Sequence, residues 1–228
     1  MCDYVATTVR RYGDKVRTWH LTSASNRGGV LALGEDEREY LTVRLMEVVR
    51  KIDPKLEIVI GIAQPWGEYM AAEDCTYSPL IFADTLVRSG LEVNALDLEL
   101  VPTIWPRGSY CRDLMEIGRL IEQYKALHVP LRLTLGYPST SMPDPEADRE
   151  LSIDAGYWHG GFTPATQAEW GTAVTTLALS DDAVRAVHWA HLFDSAPHQF
   201  PHSGLFDVRN EPKPILAQLR QLRQLHLP

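Results

Sequence analysis

The sequence predicts an α/β fold, a parallel sheet with helices packed on it, built as part of a (β/α)8 barrel. Three observations lead there. Strand-like apolar runs alternate with amphipathic helical stretches from one end of the chain to the other. Residues 57–63 (EIVIGIA) form a continuous apolar run, the mark of a strand covered on both faces. The longest loop, residues 138–161, follows a strand, so it lies at the C-terminal edge of the sheet, where barrels place their sites.

The elements follow in order. Residues 4–12 end a helix, and residues 15–22 (KVRTWHLT) are a strand. Residues 34–52 are a long helix, with Leu41, Leu45, Val48 and Val49 on one face at three- and four-residue spacing. After the apolar strand 57–63, residues 78–89 form a helix with Ser78 as N-cap, Pro79 in its first turn and Gly90 past its end. Residues 93–101 are a strand, 112–128 a helix and 131–137 a strand. Residues 163–179 form a helix capped by Thr163, with Pro164 in its first turn. Residues 184–193 are a strand and 214–225 a last helix.

Five βα units are too few for eight strands. The expectation is strands 4 to 8 of a barrel, one partial domain over residues 1–228. An open five-stranded α/β sheet is the alternative. It has no G-x-G-x-x-G turn or Walker loop to support it.

Composition narrows the function classes. The net charge is −8, which disfavours neutralising phosphates, so no nucleic-acid partner is expected. No apolar run approaches the ~18 residues of a membrane span, so no membrane partner is expected. Met1-Cys2-Asp3-Tyr4 does not begin a signal peptide, and the three cysteines (Cys2, Cys75, Cys111) give no disulfide framework. A reducing, cytoplasmic location is the expectation. His188 and His191, three apart on a strand, face opposite ways and cannot share an ion; no metal and no cofactor is expected.

The end of the chain carries a resemblance. Trp189 on a strand is followed by Leu192-Phe193-Asp194, Gly204-Leu205-Phe206-Asp207 and Pro212-Lys213-Pro214 before the closing helix. This is similar to the end of glycoside hydrolase family 10, the endo-β-1,4-xylanase-like barrels. Arg11-Tyr12-Gly13-Asp14-Lys15-Val16 with Trp19 resembles the third helix and fourth strand of that family. Gln64-Pro65-Trp66-Gly67-Glu68-Tyr69 and Arg112-Asp113-Leu114 resemble a divergent bacterial branch.

The departures bear on chemistry. The resemblance places the family's acid/base glutamate on Ala24 and its nucleophile glutamate on Leu135. A retaining glycosidase needs two carboxyl groups about 5–5.5 Å apart, and neither residue supplies one. Other acids are candidates for catalysis. Asp97 and Glu99 alternate with Leu96, Leu98 and Leu100 on one strand, so they share a face. Glu99 either meets a water-filled cleft or pairs with an arginine such as Arg132. Glu68, after the strand 57–63, is either catalytic or a solvated loop acid. Trp66 and Tyr69 form either a sugar-stacking surface or loop packing. Trp19, Tyr137, Trp189 and Asp194 are the remaining substrate-binding candidates; the alternatives for them are core packing, loop contacts or a turn cap.

The resemblance implies a carbohydrate-active protein that acts on or binds β-linked, xylan-like polysaccharide, with the family's catalysis impaired. The alternative is a non-catalytic assembly domain. The expected partners are oligosaccharide or polysaccharide, together with either a second copy of the chain or an N-terminal barrel half.

Overall fold

The computed structural model describes residues 1–29 and 32–226. Its strands are β1 (Thr18–Thr22), β2 (Glu57–Ile62), β3 (Ala95–Leu100), β4 (Thr103–Trp105), β5 (Leu131–Leu135), β6 (Ser152–Ala155), β7 (Val184–Trp189), β8 (His191–Phe193) and β9 (Gly204–Phe206). Its helices are α1 (Cys2–Tyr12), α2 (Glu35–Ile52), α3 (Pro79–Arg88), α4 (Leu114–Lys125), α5 (Pro164–Leu179) and α6 (Pro214–His226). The five long strands make one sheet in the order β1-β2-β3-β5-β7. Strand order follows chain order without reversal, as in a (β/α)8 barrel and unlike a doubly wound sheet.

The chain divides into two compact units, Met1–Glu99 with Gln123–Arg132, and Leu100–Glu122 with Leu133–Pro228. In the first unit β2 is the centre. It pairs in parallel with β1 and with β3, and Ile58, Val59, Ile60 and Ile62 are all fully buried. Each such side chain contributes roughly 1.5–3 kcal/mol when removed from water. Leu45, Met46 and Val49 supply the buried stripe of α2. The first strand starts at Thr18, later than the pattern suggested, because the N–H groups of Lys15 and Val16 turn back to the Tyr12 carbonyl.

The loops that enter β2 and β3 are tied by one side chain. The Arg50 guanidinium donates to the carbonyls of Pro54 (3.1 Å), Leu56, Leu91 (2.8 Å) and Glu92, and to Asn94 Oδ1 (2.8 Å). Asn94 Oδ1 also accepts from the Ile58 N–H at 2.7 Å. Every one of these acceptors precedes a strand or opens one.

In the second unit α5 is buried along most of its length, and Thr163 Oγ1 caps it by accepting from the Thr166 N–H at 3.0 Å. In β5, Leu131, Leu133 and Leu135 are fully buried, while Arg132 and Thr134 are half-buried. Leu133 thus belongs to the core of this unit. Three short strands, β4, β6 and β9, lie where the sequence showed only loop. β4 pairs antiparallel with β6, Ile104 opposite Ile153, and Arg107 bridges to Asp148 (3.0 Å) and Glu150 (3.2 Å). Val101, Ile104, Leu151 and Phe200 form a buried cluster beneath them.

Candidate functional site

The register of the first three strands sorts the first unit's candidates by face. His20 lies opposite Val59, and Gly61 lies opposite Asp97. Paired residues in a parallel ladder point the same way, so His20, Val59, Gly61, Ala95, Asp97 and Glu99 share one face. Trp19, opposite Ile58, lies on the other, with Leu96 and Leu98. Its indole N–H donates to the Val16 carbonyl at 3.0 Å. Trp19 thus lies half-buried on the side of the sheet that carries Leu96 and Leu98.

The face it leaves is polar. The His20 side chain is 43% exposed, and its Nε2 stands 3.7 Å from Oδ2 of Asp97, whose side chain is 7% exposed. The imidazole reaches across β2 because residue 61 is glycine. A Cβ there would come within 2.7 Å of His20 Nε2 and 2.8 Å of the Thr22 carbonyl oxygen. Glu99 follows Asp97 on the same face and is half-buried. Burial pushes its carboxyl up to about 8; the Asp97 charge adds to the rise, and the Arg27 guanidinium opposes it. Arg27 is held by Glu73 at 3.2 Å, so Arg132 is not the partner of Glu99; it pairs with Glu57 at 3.7 Å. Asn26 fixes the segment after β1, donating to the Ala63 carbonyl (2.8 Å) and accepting from the Ala63 N–H (3.1 Å).

The turn after β2 carries the other candidates of this unit. Gly67 takes a φ of +87°, a region that favours glycine, and opens a short 3-10 turn, Glu68–Ala71. Glu68 is buried and Trp66 is half-buried. Tyr69 is 2% exposed, and burial pushes its phenol up to about 12. The ring is enclosed in the core of this unit.

Three candidates of the second unit are likewise structural. The Tyr137 hydroxyl donates to the Gly161 carbonyl (3.0 Å) and accepts from the Trp158 N–H (2.9 Å), and its ring stacks on Trp170. The Trp189 ring packs edge-on to Trp170 and against Gly171 of α5, with its N–H on the Ser203 carbonyl at 2.6 Å. Asp194 is buried in an ion pair with Lys213 at 2.6 Å and accepts from the Gly204 N–H at 2.7 Å. Gly204 allows this, since a Cβ would lie 2.5 Å from Asp194 Oδ1. In this unit Tyr137 and Trp189 pack around Trp170, and Asp194 forms a buried ion pair.

The two positions of the family glutamates are empty of acids. Ala24 sits exposed in the turn past β1. Leu135 is buried with Leu131 and Leu133, and the opposite face of that stretch reads Arg132, Thr134, Gly136, again without a carboxylate. Of the eight candidates, Glu68, Tyr69, Tyr137 and Asp194 are buried, and Trp19, Trp66, Glu99 and Trp189 are half-buried. Sequence reasoning missed His20, whose partner lies two strands away. The signal was its alternation with Trp19, read together with a glycine in an otherwise bulky neighbouring strand.

No protein-family model matches the sequence, and no curated protein does. Solved structures do. Xylanase 10B from Thermotoga petrophila, in complex with xylobiose, superposes with a TM-score of 0.66 at 13% identity, covering 100% of this chain and 65% of that one. The catalytic domain of a glycoside hydrolase family 53 protein from Ignisphaera aggregans gives 0.67 at 15%, covering 96% and 63%. A β-D-glucuronidase from Dictyoglomus thermophilum gives 0.64 at 18%, covering 100% and 35%. The chain spans about 65% of the length of the xylanases it matches. It has the fold of the xylanase-like (β/α)8 glycosidase barrels over that part.

Proposed function

We propose that this chain is a carbohydrate-active protein that binds β-linked, xylan-like oligosaccharide and does not run the two-glutamate retaining reaction. The observation that carries the reading is the polar face of β1–β3, with His20, Asp97 and Glu99 on a fold otherwise met in glycosidases. Trp66, half-exposed in the turn after β2, supplies an aromatic surface of the kind that packs on the apolar face of a sugar ring. Ala24 and the face carrying Thr134 and Gly136 offer no nucleophile and no proton donor of the usual kind. The test is calorimetric titration of the chain with xylotetraose. Saturable binding, weakened about tenfold or more by Trp66→Ala, supports the reading. Absence of binding to xylo-, cello- and mannotetraose alike would sink it.

A second reading, a non-catalytic assembly domain, draws on the sheet order. Among the described residues β1 and β7 end the sheet, and uncovered strand edges pair readily with another chain. Light scattering across a hundredfold range of concentration checks it: a constant monomer mass would remove it.

A further inference from the structure

We infer that His20, steadied by Asp97, and Glu99 form an acid–base pair able to run an inverting hydrolysis of a glycosidic bond. The inference rests on the carbohydrate reading above. It starts from placement. His20 Nε2 and Asp97 Oδ2 are 3.7 Å apart, too far for a hydrogen bond in the resting state but close enough for the carboxylate to favour an imidazolium as it forms. The imidazole is the exposed member and the carboxylate the covered one, as a base and its orienting group should be. Glu99 lies two residues beyond Asp97 on the same face. Two residues along a strand rise about 6.6 Å, so Glu99 stands about that far along β3 from Asp97, the residue His20 Nε2 approaches. Inverting enzymes keep their acid and base about 6.5–9.5 Å apart, leaving room for a water, whereas retaining ones need about 5–5.5 Å.

Protonation states fit these roles. The Glu99 carboxyl, pushed up to about 8, holds its proton at neutral pH and has one to give. In the step, water oxygen bonds to the anomeric carbon while His20 takes a proton from that water. The bond from the anomeric carbon to the leaving oxygen breaks, its electron pair stays on that oxygen, and the Glu99 proton joins it. The products are a hemiacetal of inverted configuration and a free alcohol. Glu99 is left as carboxylate and His20 as imidazolium, and one proton exchanged through solvent restores both. Asp97 is a positioning residue. Gly61 is the other: its missing Cβ is what lets the ring lie over β2.

The experiment follows p-nitrophenyl and 2,4-dinitrophenyl β-xyloside and xylotetraose with the whole chain, using proton NMR to identify the anomer formed first. The expected result is turnover of all three with the α-anomer appearing first. His20→Ala and Glu99→Gln should each lower the rate on xylotetraose by about a hundredfold or more. Glu99→Gln should keep most of its rate on the dinitrophenyl glycoside, whose leaving group needs no acid; His20→Ala should not. Asp97→Asn should move the acid-side limb of the pH–rate profile downward, which a purely structural role would not do. Circular dichroism on each variant, with His20→Asn as a smaller change, separates loss of chemistry from loss of fold. Turnover giving the β-anomer first, or none above background, would overturn the inference. Oligosaccharide binding without turnover would overturn it while leaving the carbohydrate reading intact; neither binding nor turnover would remove both.

Discussion

Glu99 gives folding a pH dependence of definite sign. Its carboxyl is held up near 8 in the folded chain against 4.5 as the ordinary value, so between those limits the folded state binds more protons than the unfolded one. Stability contributed there is present at low pH and lost as pH rises through the window. Glu99→Gln keeps the shape and removes the ionisation. It should be more stable than the parent at pH 8 by roughly 1–3 kcal/mol, with the gap closing toward pH 5, as thermal melts at the two pH values would show. Lys213 gives a second prediction. Lys213→Met leaves the Asp194 carboxylate buried beside Gly204 without its cation, a loss of about 3–5 kcal/mol measurable by urea unfolding. At this scale the sequence was legible in part. The shared face of Asp97 and Glu99 follows from alternation alone. The His20–Asp97 approach and the Asp194–Lys213 pair do not, because each joins residues that only the fold brings together. Trp19, Trp189, Tyr69 and Tyr137 show the limit most clearly: an aromatic on or after a strand can face cleft or core, and only the strand register or the packing around the ring decides.

Helices and long strands were the readable elements, for local reasons. Ser78 accepts from the Ile81 N–H at 3.3 Å and Thr163 from the Thr166 N–H, each before a proline at the first helical turn, so both starts were written in short stretches of sequence. The helix expected over residues 112–128 is shorter, Leu114–Lys125. Asp113 Oδ1 accepts from the Glu116 N–H at its start, and His128, with a φ of +57°, turns away beyond its end. β4 and β6 escaped because three- and four-residue strands are too short to show a period, and their pairing joins segments separated in the chain by α4 and β5. One helix position carries a prediction. Gly171 in the middle of α5 costs helix propensity, yet a Cβ there would meet Ile215 Cδ1 at 2.6 Å and the Trp189 ring at 2.9 Å. Gly171→Ala should therefore destabilise by about 1–3 kcal/mol in denaturant titration, where an exposed helical glycine would gain.

For the whole chain, the two units carry opposite pH responses. In the second unit His191 Nε2 accepts the Phe200 N–H at 3.0 Å, and burial with the neighbouring His198 charge lowers its pKa to about 4. The unfolded imidazole binds its proton near 6.5, so the unfolded state holds more protons between those values. That stability is lost as pH falls through the window, the reverse of Glu99 in the first unit. Acidification from pH 7 to 4.5 should strip hydrogen-exchange protection from β8 before β3, and a rise from 7 to 8.5 should do the opposite; parallel loss at both pH extremes would contradict it. Arg50 has a consequence of a different kind. Its five acceptors lie in the short connections into β2 and β3, and each sits at a fixed reach from one guanidinium. A residue inserted between Pro54 and Leu56, or between Leu91 and Asn94, would carry several acceptors out of range at once. None of the five acceptors lies in the turns leaving those strands, so Arg50 holds the chain to its present length on the entry side alone.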